Sequence, residues 1–247
     1  EKRTDIGFTA KWRQAQEYSV HIPSPLEYYT RHLEEASHIL LVDALFTAVK
    51  GRERAVMIAW DTGVGVVDYV IDCTENKTAY SYLFQRLDKA GYEPICVVSD
   101  GHDSLVGVIR ERNLPHQRCT NHLLRELKRK LVRHGEELTG RSRLLYSRIK
   151  GIFRTRKIED LPERIEYFRT RVAPLFPDNS SVLRWFWKIV PAAVLHLSYT
   201  EKVPSTTNRI ENLNGQVKQR LKTMRGMKSE KSLHNLLKIL FHFRRYK

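Results

Sequence analysis

The sequence predicts an α/β protein: a mixed sheet assembled early in the chain, helices packed on it, and a long all-helical stretch behind it. Three observations predict this. Apolar runs punctuated by turn residues follow one another from His38 to Ile71. The hydrophobic period then alternates between helical and extended as far as Cys119. Beyond Cys119 it is helical almost to the end.

Residues 1–34 are polar, and Pro23 and Pro25 interrupt any long helix, so this segment reads as a linker or the tail of another domain. His38 to Val49 is nearly continuously apolar, the pattern of a strand buried on both faces. Lys50-Gly51-Arg52-Glu53 reads as a turn. Ala55–Trp60 and Gly65–Ile71, separated by Asp61-Thr62-Gly63, supply two more strands, so the sheet begins as an antiparallel meander. Lys77 to Ala90 carries Tyr80, Leu83, Phe84 and Leu87 at helical spacing, and Gly91 stops it. Ile95 to Asp100 is a short fourth strand ending in an acid. Leu105, Val108 and Ile109 share one face of the next helix, and His116–Cys119 is again extended. The order is therefore βββαβαβ, which requires a mixed sheet. Leu123, Leu124, Leu127 and Leu131 then form one apolar stripe. Further helices are expected over about 141–155, 159–173, 180–198, 208–225 and 230–246.

Composition narrows the function classes. Hydrophobic residues are 41% of the 247, enough for a core, which excludes wholesale disorder. No apolar run approaches the ~18 residues of a membrane span, so no membrane partner is expected. Glu1-Lys2-Arg3-Thr4-Asp5 is no secretory leader, and without an initiator Met an upstream segment is expected. Cys73, Cys96 and Cys119 give no disulfide framework, which suits a reducing, cytoplasmic setting. The 43 Lys and Arg against 28 Asp and Glu leave a formal charge of +15, which predicts a polyanionic partner, most simply nucleic acid. The surplus is concentrated: Arg118–Arg171 holds 16 basic against 7 acidic residues, and Lys202–Lys247 holds 12 against 2. The second half of the chain would grip polyphosphate while the first is scaffold.

Two aspartates stand out against this background. Asp43 lies inside an apolar strand, and Asp100 ends another. A carboxylate there is costly unless a positive group, such as a metal ion, compensates it. Helix capping is the alternative for Asp100, although Asp103 and Ser104 are better placed to cap. The third acid is Glu211. Asn208 and Glu211 have the spacing of a capping box. Yet Ile210, Leu213, Val217, Leu221 and Met224 form the buried stripe of that helix, while Glu211, Gly215, Lys218 and Lys222 lie on another face, as suits a metal beside a phosphate chain. Three acids from distant parts of a basic chain suggest a two-metal site for in-line phosphoryl displacement. All-oxygen ligands favour Mg²⁺ or Mn²⁺ over zinc.

This layout resembles the RNase H-like catalytic core of DDE transposases. Val97-Val98-Ser99-Asp100-Gly101-His102, Gln117-Arg118-Cys119-Thr120-Asn121-His122 and Thr206-Thr207-Asn208-Arg209-Ile210-Glu211-Asn212-Leu213-Asn214 resemble the Mutator-like group and its bacterial insertion-sequence relatives, over roughly residues 36–247. The resemblance implies an RNase H-like mixed sheet with a large all-α insertion before the glutamate helix. It divides the chain into 1–34, linker or tail of a missing N-terminal DNA-binding domain; 35–120, first part of the core; 121–205, helical insertion; and 206–247, glutamate helix and basic C-terminal helix. It also implies a metal-binding catalytic triad of Asp43, Asp100 and Glu211 with two Mg²⁺ or Mn²⁺ ions. The activity it implies is phosphodiester hydrolysis and strand transfer at transposon ends. The implied partners are double-stranded DNA and further copies of the chain, as a homodimer or higher assembly. The implied setting is cytoplasmic and nucleoid-associated, or nuclear in a eukaryote. The rival expectations are a DNA-binding regulator without catalysis and a nuclease that cuts without joining.

Other residues carry weaker signals. Cys119-x-x-His122 is half a zinc pattern without a second half. The resemblance places this pair near the active site, with His122 contacting DNA or supporting the acids, and a core Cys bonded to a His is the plainer alternative. Cys119, Asn208 and Asn212 belong to the same motifs in supporting roles. Trp185 and Trp187 face different sides of a helix; one is a candidate to stack on an unpaired base, against a purely core role. Lys218, Arg220, Lys222, Arg225, Lys228 and Lys231 follow the glutamate closely and are expected to position DNA rather than read it. Arg244-Arg245-Tyr246-Lys247 either extends that surface or is a soluble tail.

Overall fold

The computed structural model describes residues 8–132, 137–223 and 227–243. In chain order the elements are α1 (Phe8–Tyr18), α2 (Pro25–Thr30), β1 (Ile39–Val49), β2 (Arg52–Asp61), β3 (Gly65–Asp72), α3 (Lys77–Lys89), β4 (Cys96–Ser99), α4 (Asp103–Glu111) and β5 (His116–Arg118). Helices follow: α5 (Thr120–Leu131), α6 (Gly140–Phe153), α7 (Leu161–Tyr167), α8 (Ser180–Val194), α9 (Asn208–Thr223) and α10 (Glu230–Phe243). The strands order as β3-β2-β1-β4-β5, with β1–β3 antiparallel and β4 parallel to β5. The expected mixed sheet is therefore present. Chain contacts divide the molecule into two compact units.

The first unit comprises the chain up to Ile95, Asp103–Leu114 and the chain from Asn208. Its meander turns at Lys50 and Gly51, whose φ of 51° and 73° fit a two-residue hairpin loop. Arg52 and Glu53, expected in that turn, already pair in β2. β1 is buried from Ile39 to Val42, but Phe46 and Ala48 are exposed between buried Leu45 and Val49. The expectation of burial on both faces thus holds only for its first half; the second alternates as a sheet covered on one side does. Residues 8–30, within the segment read as a linker or the tail of another domain, are largely helical, in two short helices with Pro23 between them and Pro25 at the start of the second. Ser24 and Glu27 close a capping box ahead of α2, with Pro25 at its first turn. Ile22 and Tyr29 are buried, and the Tyr29 ring meets Tyr92 edge-on at 5.2 Å. A few well-placed apolar side chains in a polar segment suffice to dock it.

Two buried acids here went unremarked in the sequence. Asp61 accepts five hydrogen bonds, from the Ser37, Gly63 and Val64 backbone N–H groups, the Ser37 hydroxyl and the Tyr92 hydroxyl, at 2.7–3.1 Å. Those donors saturate its lone pairs and pin the β2–β3 turn. Asp68 accepts from Arg86 Nε and Nη2 at 2.6 and 3.0 Å. Burial raises its pKa, and the guanidinium counters that only in part.

The second unit comprises Cys96–His102 and Pro115–Thr207. Leu123, Leu127, Leu145, Ile149, Phe153, Phe168 and Phe186 build its core, with the Phe168 and Phe186 rings 4.7 Å apart. The helix expected over 159–173 is broken up: α7 passes into a π turn at Phe168–Val172 and then a 3₁₀ turn at Ala173–Leu175. Phe168, Val172 and Phe176 are all buried along this broken stretch. Trp187 is 37% exposed and touches Phe168 and Phe186 edge-on, at the rim of this core. No helix among the described residues is long and apolar enough to cross a membrane.

Candidate active site

In the first unit, Asp43 sits in β1 opposite Ile58 of β2, half-buried between fully buried Val42 and Leu45. Helix α9 packs on β1. Its apolar stripe explains why: Ile210, Leu213, Val217 and Leu221 are all buried, as the sequence predicts, while Met224 lies outside the described residues. One polar side chain interrupts that stripe. Asn214, 5% exposed, donates from Nδ2 to Asp43 Oδ2 over 2.8 Å. A hydrogen bond to a carboxylate contributes about 1.5–3 kcal/mol and orients the acceptor. The other end of the same amide, Oδ1, is buried without a hydrogen-bond partner. A carboxylate beside an orphaned amide oxygen is a donor set suited to a hard divalent cation. The sequence reading did not single out Asn214. The available signal was an amide at position 214, where 210, 213 and 217 demand an apolar side chain.

Glu211 is half-buried on α9, one turn before Asn214. Gly215, Lys218 and Lys222 are exposed along its side of the helix, as expected. Arg220 is exposed too, but the 100° step per residue puts it with Arg209, Asn212 and Gln216 on a face well away from Lys218 and Lys222. The basic residues expected to act together thus belong to two faces. Lys228 is exposed just beyond, and Arg225 lies outside the described residues, as do residues 244–247. Helix α9 begins at Asn208, which is exposed, as is Asn212.

In the second unit, β4 is buried throughout and Asp100 emerges half-buried at its end. Its Oδ1 accepts from the His102 N–H at 3.0 Å, a local turn rather than a bond to the helix that follows. Gly101 has φ +88°, and a Cβ there would lie 1.8 Å from Arg118 Nε. Glycine is therefore required by conformation and by the Arg118 side chain laid against it. Ser99 Oγ accepts from the Gly101 N–H at 3.1 Å and bonds His116 Nε2 at 2.8 Å, which holds this turn against β5.

Cys119 is fully buried and its Sγ accepts from the Thr207 N–H at 3.4 Å, while the Thr120 N–H reaches Ser205 O at 2.9 Å. These bonds strap residues 205–207 to the start of α5. Burial alone pushes the Cys119 thiol up, but hydrogen bonds with His122 and Thr207 outweigh it and leave the pKa lowered. His122 is half-buried, with Arg125 Nη1 3.2 Å from its Nε2.

The family model for Mutator family transposases matches residues 22–246. The transposase for insertion sequence element IS905 of Lactococcus lactis subsp. lactis is 25% identical over 230 residues, covering 87% of this chain and 56% of the relative. The transposase for insertion sequence element IS256 in transposon Tn4001 of Staphylococcus aureus is 24% identical over 232 residues, covering 87% and 57%. The chain spans little more than half the length of these curated relatives. Among solved structures, the dimeric HTLV-2 integrase catalytic core domain in complex with magnesium aligns with 62% of this chain and 86% of its own, at 12% identity and a TM-score of 0.30. Its trimeric form aligns with 71% and 96%, at 15% identity and 0.30.

Proposed function

Since this chain belongs to the Mutator family of transposases, we propose that it is the catalytic part of a DNA transposase, performing divalent-metal-dependent phosphodiester hydrolysis and strand transfer at the ends of its element. The observation that carries this reading is the Asn214–Asp43 bond, which ties the glutamate helix to a half-buried carboxylate in the first strand and leaves an amide oxygen orphaned beside it. Asp43, Asp100 and Glu211 are the proposed acids, and two Mg²⁺ or Mn²⁺ ions the proposed cofactors. When bound, such ions stabilise charge on the attacking and leaving oxygens of an in-line displacement.

The chain's own residues do the rest. The Asn214 amide holds the Asp43 carboxylate in one orientation, so an oxygen ligand is presented without the entropy of finding its rotamer. The turn at Gly101, held by Ser99 and Arg118, fixes where Asp100 leaves its strand. Lys218 and Lys222, exposed on the Glu211 side of α9, neutralise backbone phosphates of duplex DNA, and Lys228 extends that contact. The His122–Cys119 pair, with Thr207 on the same sulfur, braces the segment that leads into α9. Two transposon ends must be brought together, so a homodimer or larger assembly is part of the proposal.

The test uses labelled duplex carrying the inverted repeats that flank the reading frame, incubated with the protein and Mg²⁺. Cleavage followed by joining, both abolished in Asp43→Asn, supports the proposal. Binding without cleavage identifies a DNA-binding regulator, and cut product that never joins identifies a nuclease. Full activity in Asp43→Asn removes the metal-site assignment.

A further inference from the structure

From Arg141 to Lys157 the chain carries seven Lys and Arg and no Asp or Glu. Helix α6 occupies most of that stretch and lies wholly within the second unit. Leu145, Ile149, Ile152 and Phe153 bury one side of it in the core of that unit. Arg143, Ser147, Lys150 and Arg154, at offsets of 4, 7 and 11, form a row on the side away from it, about 16 Å long at 1.5 Å per residue. Arg143, Ser147 and Arg154 are exposed; Lys150 is half-buried, its ammonium 6.0 Å from the centre of the Tyr146 ring. Arg143 donates its Nε–H to the Leu138 carbonyl at 3.0 Å. None of these three cations has a carboxylate partner among the described residues. The neighbouring segments differ. Lys130 of α5 pairs with Glu126 at 3.5 Å, and around α7 Arg164 pairs with Asp160 at 4.0 Å and Arg169 with Glu166 at 2.6 Å.

Three features of α6 work against the helix itself. Arg141 and Arg143 stand in its first turn, which holds no acid, and the helix dipole disfavours cations there. Lys150 and Arg154 repel one another at i, i+4. Gly151 weakens the helix interior relative to alanine, yet a Cβ there would meet nothing within 4 Å, so no packing contact requires it. A face kept for solubility mixes both signs, as α5 and α7 do. A polyanion lying on the row turns all three features to use: it neutralises the cations, and a residue without a side chain lets its backbone come close. The row itself holds no aromatic ring for a base to stack on, so a single strand gains little from it. A duplex carries its phosphates at fixed spacing on a stiff backbone, which cations fixed along one helix can match. An acidic polypeptide offers the charge but must be ordered to hold it in a line. We propose that the Arg143–Arg154 row of α6 binds the phosphate backbone of duplex DNA without reading its sequence, with Gly151 leaving room for close approach. The proposal rests on the reading of DNA as the partner and gives the second unit a duplex contact of its own, besides the α9 lysines of the first.

The experiment is run without divalent ions, so cleavage does not enter it. A labelled duplex of arbitrary sequence is titrated with the whole chain at four salt concentrations, following anisotropy. With Arg143→Gln, Lys150→Gln and Arg154→Gln combined, the slope of log K against log salt is expected to fall by about 2.7, at ~0.9 per phosphate contact, whatever the sequence. The Tm of this triple variant is expected to equal or exceed that of the wild type, since a repulsion and a first-turn cation are gone. Gly151→Leu is expected to keep the Tm and to weaken duplex binding about tenfold, because its side chain stands where the phosphate backbone approaches. An unchanged slope in the triple variant overturns the proposal, as does undiminished affinity in Gly151→Leu. A triple variant that loses more affinity for polyglutamate or oligothymidylate than for duplex also overturns it. If the triple variant melts well below the wild type, Gly151→Leu alone decides. A slope that falls in the Lys218→Ala, Lys222→Ala double variant but not in the α6 triple fails this inference alone, whereas a wild type that binds no duplex fails the underlying reading.

Discussion

Asn214 donates to the Asp43 carboxylate across 171 residues of sequence, and its amide oxygen is left buried and unpartnered by the same contact. One side chain thus orients an acid in the first strand and commits the glutamate helix to that strand. Replacing it by alanine removes the bond and leaves Asp43 half-buried without this donor. Asn214→Ala is expected to lower stability by about 1.5–3 kcal/mol, read as a lower urea midpoint at unchanged slope. If Asp43 holds a cation, the Mg²⁺ concentration needed for cleavage also rises. An unaltered midpoint would show that the bond does not constrain Asp43.

Lys218 and Lys222 flank the Glu211 side of α9 and are both exposed. Each phosphate they neutralise adds to the salt dependence of duplex binding. Lys218→Ala and Lys222→Ala together are expected to reduce the slope of log K against log salt by about 1.8, with no change in sequence preference. Binding isotherms at four salt concentrations measure it, and an unchanged slope removes the pair from the interface.

Gly101 has φ +88°, and a Cβ there would lie 1.8 Å from Arg118 Nε, so the guanidinium would have to shift. Gly101→Ala must both strain the backbone and expel the guanidinium. A loss of about 1–3 kcal/mol is expected, which lowers Tm by about 2–4 °C per kcal/mol in a chain of this size. Cleavage falls further than stability if Asp100 needs that turn. Calorimetry compared with single-turnover rates separates the two effects.

His234 in α10 has its pKa lowered, first by burial and then by Lys238 and Arg86, with Asp68 opposing. Its Nδ1 lies 2.9 Å from the Tyr69 hydroxyl, which also donates to His234 O at 3.1 Å. A base whose pKa is depressed on folding contributes stability that is present above its ordinary value of 6.5 and is lost as pH falls below it. Urea unfolding of the wild type should therefore weaken from pH 7.5 to about pH 5. His234→Phe should flatten that dependence, since the Tyr69 hydroxyl keeps its backbone acceptor. An equal slope in both proteins would place the titration elsewhere.

Much of the architecture was legible residue by residue. The apolar runs of β1, β2 and β3, the switch to helical period at Lys77 and the stripe Ile210-Leu213-Val217-Leu221 are local patterns, and hydrophobic periodicity reports them directly. Helices α1 and α2 were not legible, because only a few apolar side chains, Ile22 and Tyr29 among them, are buried in a polar segment. The π and 3₁₀ turns after Tyr167 were missed because Phe168, Val172 and Phe176 keep the spacing of an ordinary helical stripe.

The acids show the limit more sharply. Asp43, Asp61, Asp68 and Asp100 all border apolar strand residues, and sequence context singled out Asp43 and Asp100 without giving the partners of any of the four. Only the folded chain shows five donors saturating Asp61, a guanidinium answering Asp68, and an amide from a remote helix reaching Asp43. The sequence by itself determined the elements, their order and the positive surplus that calls for a polyanion. The tertiary structure decided which carboxylate is already satisfied, which face of α9 each basic residue occupies, and that Asn214 belongs with Asp43. Periodicity is a property of neighbours along the chain, whereas the partner of a buried polar group is chosen by long-range packing.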